Sequence, residues 1–493
     1  MAIVNVARFR DRRGRQGWLR LMAMLPALLV LSSGKILEAN QKRPTRLIER
    51  APAPKKIDYD KLTSEATALL SQEIRIDTTN PPGNELPVAK LLKEKFLADG
   101  IPATVWEPFP GRGVIAARLH GTGRHAAALV LLSHMDVVPA NPKEWDVPPF
   151  SGEVKDGAIW GRGSIDDKGP GVIELMAMLA IKRAGLLLNR DIIFIATGDE
   201  EEGGRNGAGW VVTHEARVFA DARYLLNEGG GITARPNGKR YFAVSIAEKT
   251  PLWLKLTAAG EEGHGAVPPA ATAVTRLVAA LDHIIAYRPP IRILDPVEEY
   301  YRDIGELDGG PAEFFHLKRA LRDNPAFVRS FVAVPRQAAL VRDTYTPTML
   351  AGSPKTNVIP ATATAEIDGR ILPGDDPQAD LDAIKKVIDD DSIKVDITLN
   401  FPAVSSPRKS VLMSAIDELA ESEDVPVVPT MIAGFTDSHY FRQAGLIAYG
   451  FIPIELSPAE EKGVHGINEH LPVKQLDDGI RRMVELLETI GGH

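Results

Sequence analysis

Apolar segments alternate with segments of helical periodicity over the first half of the chain. The segments AAALVLLS, DIIFIATG and ARYLLNEGG are largely apolar, and helical patterns such as GPGVIELMAMLAIKRAG lie between them. Strands that are apolar on both faces are typical of parallel sheets covered by helices on each side. The sequence therefore predicts an α/β fold with a mainly parallel sheet flanked by helices.

A different pattern begins after Thr250, and it indicates a second domain inserted into the first. LWLKLTAAG and ATATAEIDGRI alternate apolar and polar residues, as half-exposed strands do. The α/β pattern returns near the end, and 493 residues exceed what one core usually serves. We predict a catalytic domain from residues 58–248 and 404–493, and an inserted α+β lid or dimerisation domain at 249–403. A helical insertion interrupts the inserted domain at about 288–347.

The N-terminal residues have the composition of an export signal. Arginines precede the apolar segment LMAMLPALLVL at 21–31, and small residues follow it. We expect residues 1–39 to be a signal peptide, cleaved near Gly34 or Ala39, or an uncleaved membrane anchor, and residues 40–57 to be a linker. The protein would then be periplasmic, secreted or membrane-anchored.

Composition excludes several kinds of chemistry. The chain has no cysteine, which excludes disulfides, thiolate metal ligands and a cysteine nucleophile. Its net charge of −7 disfavours a nucleic-acid partner, which would require a basic face. A metal site in this chain must therefore use histidines and carboxylates.

Acidic and imidazole side chains follow successive predicted strands. They are His134 and Asp136, Asp166 and Asp167, the acids at 199–202, Glu228 and, far downstream, His465. Taken singly, each has an ordinary reading as a helix cap, a solvated turn or a surface histidine. Ligands bind beyond the carboxyl ends of strands in such folds, and so many acids share one pocket only when cations neutralise them. Histidine with carboxylate suits zinc, or alternatively manganese or cobalt.

At these residues the sequence resembles the di-zinc exopeptidases and amidohydrolases that include aminoacylase, succinyl-diaminopimelate desuccinylase and glutamate carboxypeptidase. The carboxypeptidase S branch, which includes secreted enzymes acting on N-fatty-acyl amino acids, is the most similar. The resemblance runs from about residue 58 to the end of the chain. The segments that carry it are SHMDVVP, WGRGSIDDKGP, GDEEEGG, NEGG, TNVIP, GFTDSHYFR and VHGINE.

The resemblance implies a centre of two zinc ions per subunit. His134 and Glu228 would bind one ion, Glu201 and His465 the other, and Asp166 would bridge both. Asp136 would orient the His134 ring. Glu200 would be the general base, taking a proton from the attacking water and returning it to the leaving amine. The assignment within DEEE rests on alignment, so a slip of one residue would move base and ligand together.

The resemblance also implies roles for residues outside the metal centre. His264 would reach the active site of the other subunit of a homodimer and donate a hydrogen bond to the oxyanion. Asn357 and Arg370 would bind the substrate carboxylate, and Gly434 would place main chain beside the substrate. His439 departs from the arginine expected in many relatives and receives no role. Two roles for the helical insertion stay open: it lines a pocket for the acyl group of the substrate, or it only packs against the rest of the protein.

Three functions remain open from the sequence. The first is a zinc hydrolase that cleaves an amide bond next to a free carboxylate, acting on short peptides as a carboxypeptidase or on N-acyl amino acids. The second is a zinc aminopeptidase, which Asn357, Arg370 and the inserted domain disfavour. The third is a non-catalytic binding protein on the same fold, which the presence of every ligand and the base disfavours.

Overall fold

A computed structural model describes residues 54–123, 126–235 and 237–492. The predicted signal peptide or anchor and most of the predicted linker lie outside the described residues. Within these ranges, the helices are all too short or too polar to cross a membrane.

The central sheet has nine strands and combines parallel with antiparallel pairs. Its order is β1-β2-β6-β3-β7-β17-β9-β16, with β8 paired to β9. β3 pairs in parallel with β6 and β7, and β17 pairs in parallel with β7, whereas β1, β2 and β8 pair antiparallel. The strands are β1 (Ala103–Phe109), β2 (Arg112–Leu119), β3 (Ala128–His134), β6 (Ile192–Thr197), β7 (Ala222–Asn227), β8 (Gly231–Ala234), β9 (Arg240–Glu248), β16 (Val427–Ile432) and β17 (Ile447–Gly450).

Helices cover both faces of this sheet, as the apolar strands require. One face packs against α1, α2, α3, α11 and α14, and the other against α4 and α12. α3 lies between the sheet and other helices, so it is buried on nearly every side, and Gly185 ends it in the left-handed region at φ 71°. The helices are α1 (Tyr59–Ile74), α2 (Leu86–Ala98), α3 (Lys168–Ala184), α4 (Ala208–His214), α11 (Val411–Ser422), α12 (Ser438–Gln443), α13 (Pro458–Glu461) and α14 (Val473–Gly492).

A second sheet of four strands has the order β12-β14-β10-β15 and is fully antiparallel. Its core packs against α5 and α10 on one face. The chain passes from β9 into this sheet through the single residue Lys249. The elements are β10 (Thr250–Ala259), β12 (Thr344–Ala351), β14 (Thr362–Ile371), β15 (Lys394–Asn400), α5 (Ala273–Ala286) and α10 (Pro377–Ile388).

The segment between α5 and β12 is helical and packs partly against the core of the central sheet. Val297, Phe331 and Leu340 are buried in that core. The helices are α6 (Asp295–Asp308), α7 (Leu317–Asp323), α8 (Pro325–Val332) and α9 (Pro335–Val341). Two small sheets complete the described fold: β4 (Glu153–Lys155), β5 (Ala158–Trp160) and β18 (His470–Pro472) form one, and β11 (Gly263–His264) and β13 (Val358–Ile359) form the other.

The predicted fold class is confirmed. The domain boundaries stay a prediction, although the four-stranded sheet is built entirely from strands between residues 250 and 400. The predicted helix over GAGWVVTHEARVF is shorter than expected, because α4 ends at His214 and a separate 3-10 turn follows at Ala216–Val218.

Candidate metal centre

Five of the predicted metal ligands lie together in space. His134 is the last residue of β3, Glu228 follows β7, and Glu201 lies in a 3-10 turn after β6. The ligand atoms of His134, Asp166 and Glu228 lie within 4.8 Å of one another, and so do those of Asp166, Glu201 and His465. The two triads share Asp166, which is the arrangement that a bridging carboxylate between two ions requires.

Asp166 is the centre of these contacts. Its Oδ1 lies 3.0 Å from His134 Nε2, and its Oδ2 lies 3.1 Å from His465 Nε2. His465 Nε2 also lies 3.3 Å from Glu201, and His134 Nε2 lies 3.7 Å from Glu228. One carboxylate therefore contacts an imidazole with each of its two oxygens.

The charges of this cluster require a compensating positive charge. Burial and mutual repulsion raise the pKa of Glu200 and of Glu228 well above the ordinary value for glutamate. Hydrogen bonds to Asp166 and Glu201 raise the pKa of His465 to about 10. Hydrogen bonds from His134 and His465, by contrast, outweigh burial and lower the pKa of Asp166. Cations held by the cluster would supply the positive charge that the other carboxylates need in order to ionise.

The residues present fit a pair of cations. The donors are imidazole nitrogens and carboxylate oxygens without thiolates, which suits zinc, cobalt or manganese. Glu201 Oε1 is buried and has no hydrogen-bond partner among the described residues. A buried carboxylate oxygen without a donor is costly unless a ligand completes it.

Asp136 connects the His134 ring to the turn that carries Glu200. His134 Nδ1 lies 3.0 Å from the main-chain oxygen of Asp136 and 3.5 Å from its Oδ1, so the main-chain oxygen is the nearer acceptor. The Asp136 carboxylate accepts from the amides of Glu200 and Glu201, both at 3.2 Å. The side chain of Asp136 is fully buried. It therefore fixes the imidazole and the acidic turn relative to each other.

Several buried groups that were not predicted from the sequence support this centre. Asn80 donates to Asp136 at 2.8 Å and accepts from Arg112, which also pairs with Asp199. Asp437 accepts from Thr197, and burial raises the pKa of Asp437 to about 7. Asp437 lies within GFTDSHYFR, one of the segments that carry the family resemblance, so this motif could have identified it as a site residue. Asn80 and Arg112 lie in a proline-rich turn and an unassigned strand, where no pattern distinguished them.

Apart from the metal ligands, Asp136 and Glu200, four residues were predicted to act at the site, and they form two separate groups. His264 and Asn357 are neighbours on the exposed β11/β13 ribbon, where Gly265 donates to the Asn357 oxygen. Within the described residues, neither side chain has a hydrogen bond or ion pair with the metal ligands. Arg370 donates a hydrogen bond from Nε to Asp368 Oδ1. Its Cζ lies 4.5 Å from the centroid of the Phe435 ring, and Phe435 directly follows Gly434.

A cavity of about 420 Å³ adjoins the metal centre. Asp166 and Glu228 are among the residues that line it. The rest of the wall comes from both the central sheet and the helical insertion, and it combines apolar with polar side chains. The apolar and aromatic residues include Ile232, Tyr241, Tyr300, Leu340, Met431, Ile432, Ile452, Ile454 and Leu456, and the polar residues include Asp167, Thr233, Arg336, Thr430 and Glu461.

A family model described as Peptidase family M20/M25/M40 matches residues 130–489. The chain belongs to this family. It is 31% identical over 359 residues to probable carboxypeptidase S-like 2 of Dictyostelium discoideum, covering 70% of this chain and 68% of that protein. It is 28% identical over 410 residues to the human N-fatty-acyl-amino acid synthase/hydrolase PM20D1, covering 80% and 81% of the two chains.

Solved structures of the M20 family share the fold. The M20 family metallo-carboxypeptidase Sso-CP2 from Sulfolobus solfataricus matches with a TM-score of 0.67 at 20% identity, covering 87% of this chain and all of that one. The Bacillus subtilis YXEP protein, described as a dinuclear metal-binding peptidase of the M20 family, matches with a TM-score of 0.53 at 10% identity, covering 87% and 98%. The resemblance predicted from the motifs is confirmed, as is the assignment of this chain to the metallopeptidases and amidohydrolases.

Proposed function

We propose that this M20 protein is a two-metal amidohydrolase that cleaves N-acyl amino acids with an apolar acyl group. The observation that carries the proposal is the cavity of about 420 Å³ that Asp166 and Glu228 line together with apolar side chains such as Ile432, Ile452 and Leu456. The relatives named as N-fatty-acyl-amino acid hydrolases and carboxypeptidases S support the same substrate class. Short peptides with an apolar residue on the acyl side would use the same site.

Each end of such a substrate has a matching region in the protein. The acyl chain would occupy the cavity, whose wall includes Met431 and Ile432. The chain continues from Met431 and Ile432 in the cavity wall to Gly434 and Phe435, and the Arg370 guanidinium lies over the Phe435 ring. Arg370 would bind the free carboxylate, since a guanidinium holds a carboxylate through two parallel hydrogen bonds. Asn357 lies beside His264 on the β11/β13 ribbon and would assist Arg370 from a second subunit, as His264 does.

The positions of the side chains support a catalytic role for each of them. Two zinc, cobalt or manganese ions held by the two triads would supply Lewis-acid chemistry, polarising the scissile carbonyl and lowering the pKa of a water. Glu200 would accept the proton of the attacking water and pass it to the amine nitrogen as the amide bond breaks. His264 of a second subunit would donate a hydrogen bond to the oxyanion, because it lies exposed on the β11/β13 ribbon.

A substrate series tests the acyl cavity. N-acetyl, N-hexanoyl and N-dodecanoyl forms of one amino acid should show rising kcat/KM, by at most roughly fourfold for each methylene that becomes buried. Leu340→Trp should abolish the preference for the longer chains and leave the acetyl substrate unaffected, since Leu340 lines the cavity. Val334→Trp is the matched control, because Val334 is 44% exposed in the same insertion and does not line the cavity.

Metal removal separates this function from the alternatives. Chelation should abolish hydrolysis, and added zinc should restore it. Bound zinc without hydrolysis of any N-acyl or peptidyl substrate would favour a binding protein, and turnover only of substrates with a free amine would favour an aminopeptidase.

A further inference from the structure

The loops that carry Asp166 and His465 are joined by a buried ion pair outside the ligand set. Arg162 Nη1 lies 2.6 Å from Glu469 Oε2, and the two side chains are 3% and 0% exposed. Removing two charges from water is costly, so a pair of this kind persists when further hydrogen bonds satisfy both groups.

Glu469 holds the main chain that leads to Asp166. Its Oε2 accepts from the amide of Gly163 at 3.0 Å, in addition to Arg162. Its Oε1 accepts from the amides of Ile165 at 2.8 Å and of Asp166 at 3.1 Å. One buried carboxylate therefore fixes the amide of the shared metal ligand itself.

Arg162 holds the opposite loop on both sides of His465. Its Nη2 donates to the Gly466 oxygen at 2.6 Å, and its Nη1 donates to the Gly463 oxygen at 3.3 Å. His465 has a φ of 55°, in the left-handed region that side chains other than glycine rarely adopt. Its side chain is 55% exposed, so little packing holds it. The position of the imidazole therefore depends on the main-chain contacts of its loop.

The other triad has a different support. His134 ends β3, which pairs with strands on both sides, and Glu228 directly follows β7 in the same sheet. The hydrogen bonds of the sheet fix these two positions independently of the Arg162–Glu469 pair.

We propose that Arg162 and Glu469 are positioning residues that set the affinity of the metal site formed by Asp166, Glu201 and His465. The inference rests on the proposed two-metal function. Loss of a group that orients metal ligands typically costs about 10–100-fold in metal affinity. Both sites share Asp166, so both should lose some affinity. The loss should be larger at the His465 site, because Arg162 also holds the loop that carries His465.

The test measures zinc affinity in the absence of turnover. The full chain is stripped of metal and titrated with zinc against a competing chelator, which gives the stoichiometry and both dissociation constants. Glu469→Gln disrupts the pair with Arg162 but keeps an oxygen for the amides of Ile165 and Asp166. His465→Ala provides the reference for complete loss of the site.

A matched control separates positioning from loss of a buried ion pair in general. Glu248 and Arg442 also form a 2.6 Å ion pair, and both side chains are 2% exposed. Glu248→Gln should therefore perturb stability to a similar degree without weakening either zinc. Glu469→Asp, which keeps the charge, provides a second variant should Glu469→Gln fold poorly.

The expected result is that Glu469→Gln raises the dissociation constant for one zinc ion by about 10–100-fold. In the His465→Ala background, the same change should cause little further loss of zinc affinity. Equal weakening of both zincs, an undiminished effect in the His465→Ala background, or the same weakening in Glu248→Gln would overturn the inference. Wild-type protein that binds fewer than two zincs would overturn the proposed function and this inference with it.

Discussion

At the residue scale, Glu200 lies at the ligand cluster because its own amide donates to Asp136. Its side chain is only 7% exposed and belongs to neither ligand triad. Glu200→Ala should therefore keep both metals but lose about 10²–10⁴ in kcat, the usual contribution of a general base. Zinc content and kcat measured on the same preparation check this. The neighbouring exposed Glu202, changed to Ala, is the control. Turnover like that of the wild type in Glu200→Ala would place the base elsewhere.

His439 departs from the expected arginine, and its surroundings predict an acid-sensitive fold. The ring is fully buried, its Nδ1 donates to the Thr436 oxygen at 2.8 Å, and its Nε2 has no partner among the described residues. Burial, together with the nearby Arg442 charge, lowers the pKa of His439 to about 3. The unfolded state then binds more protons than the folded state below the ordinary histidine pKa, so stability falls as the pH decreases.

The expected size of this effect is measurable. Between about pH 7 and pH 5, wild-type protein should lose about 2 kcal/mol more unfolding free energy than His439→Asn, which has no ring to protonate. Urea unfolding at a series of pH values measures the difference. His316→Asn, at an exposed histidine, should follow the wild-type curve. Identical pH dependence in wild type and His439→Asn would contradict the prediction.

The metal ligands that the sequence predicted share one property, which is their place in a motif after an apolar strand or in a glycine-containing loop. His134 and Glu228 follow buried strands, and the structure places both beside Asp166. Arg162 and Glu469 lie inside motifs that carry the family resemblance, yet the two residues are more than 300 positions apart in the chain. Pairing over such a distance leaves no periodic signal, so only the fold shows what these residues contact.

At the scale of elements, strands with an obvious pattern were predictable and others were not. β3, β6 and β7 are apolar and lie between helical patterns, which identifies them. β2, β9 and β16 were not predicted, although β2 and β9 are largely buried, because glycine, serine, threonine and proline interrupt their apolar runs. The predicted helical insertion consists of several short helices, because Pro325 and Pro335 each begin a new helix.

α5 and β12 together present an apolar surface that fits the contact of a homodimer. Val278 and Ile285 on α5 are 53% and 58% exposed, and Leu350 on β12 is 65% exposed. β12 is also an edge strand, whose unpaired main chain favours association. Val278→Glu combined with Leu350→Lys should therefore convert a dimer into monomers, as measured by light scattering.

The control for this double variant places a charge on an exposed apolar residue outside the surface formed by α5 and β12. Leu187 is 68% exposed in the turn after α3, so Leu187→Glu should leave the mass of the particle unchanged. A double variant that remains dimeric would place the contact on another surface.

At the scale of the whole molecule, the proposed active site needs two subunits. The ligands and Glu200 belong to one subunit, whereas His264 lies on the exposed ribbon and has no hydrogen bond or ion pair with them within the described residues. His264→Ala should lose about 10²–10³ in kcat, the usual cost of removing an oxyanion donor, and should keep both zincs. Wild-type protein that is monomeric and fully active would contradict the role of His264 across the dimer.

Mixing two inactive variants tests whether His264 acts across the dimer. In a dimer of one His264→Ala subunit and one Glu200→Ala subunit, one site has an intact Glu200 and receives the intact His264 of the other subunit. Random exchange makes half of the dimers mixed, so the mixture should recover about a quarter of wild-type activity. Each variant exchanged with itself should stay inactive. If His264 acts within its own subunit, every site lacks one of the two groups, and mixing should restore no activity.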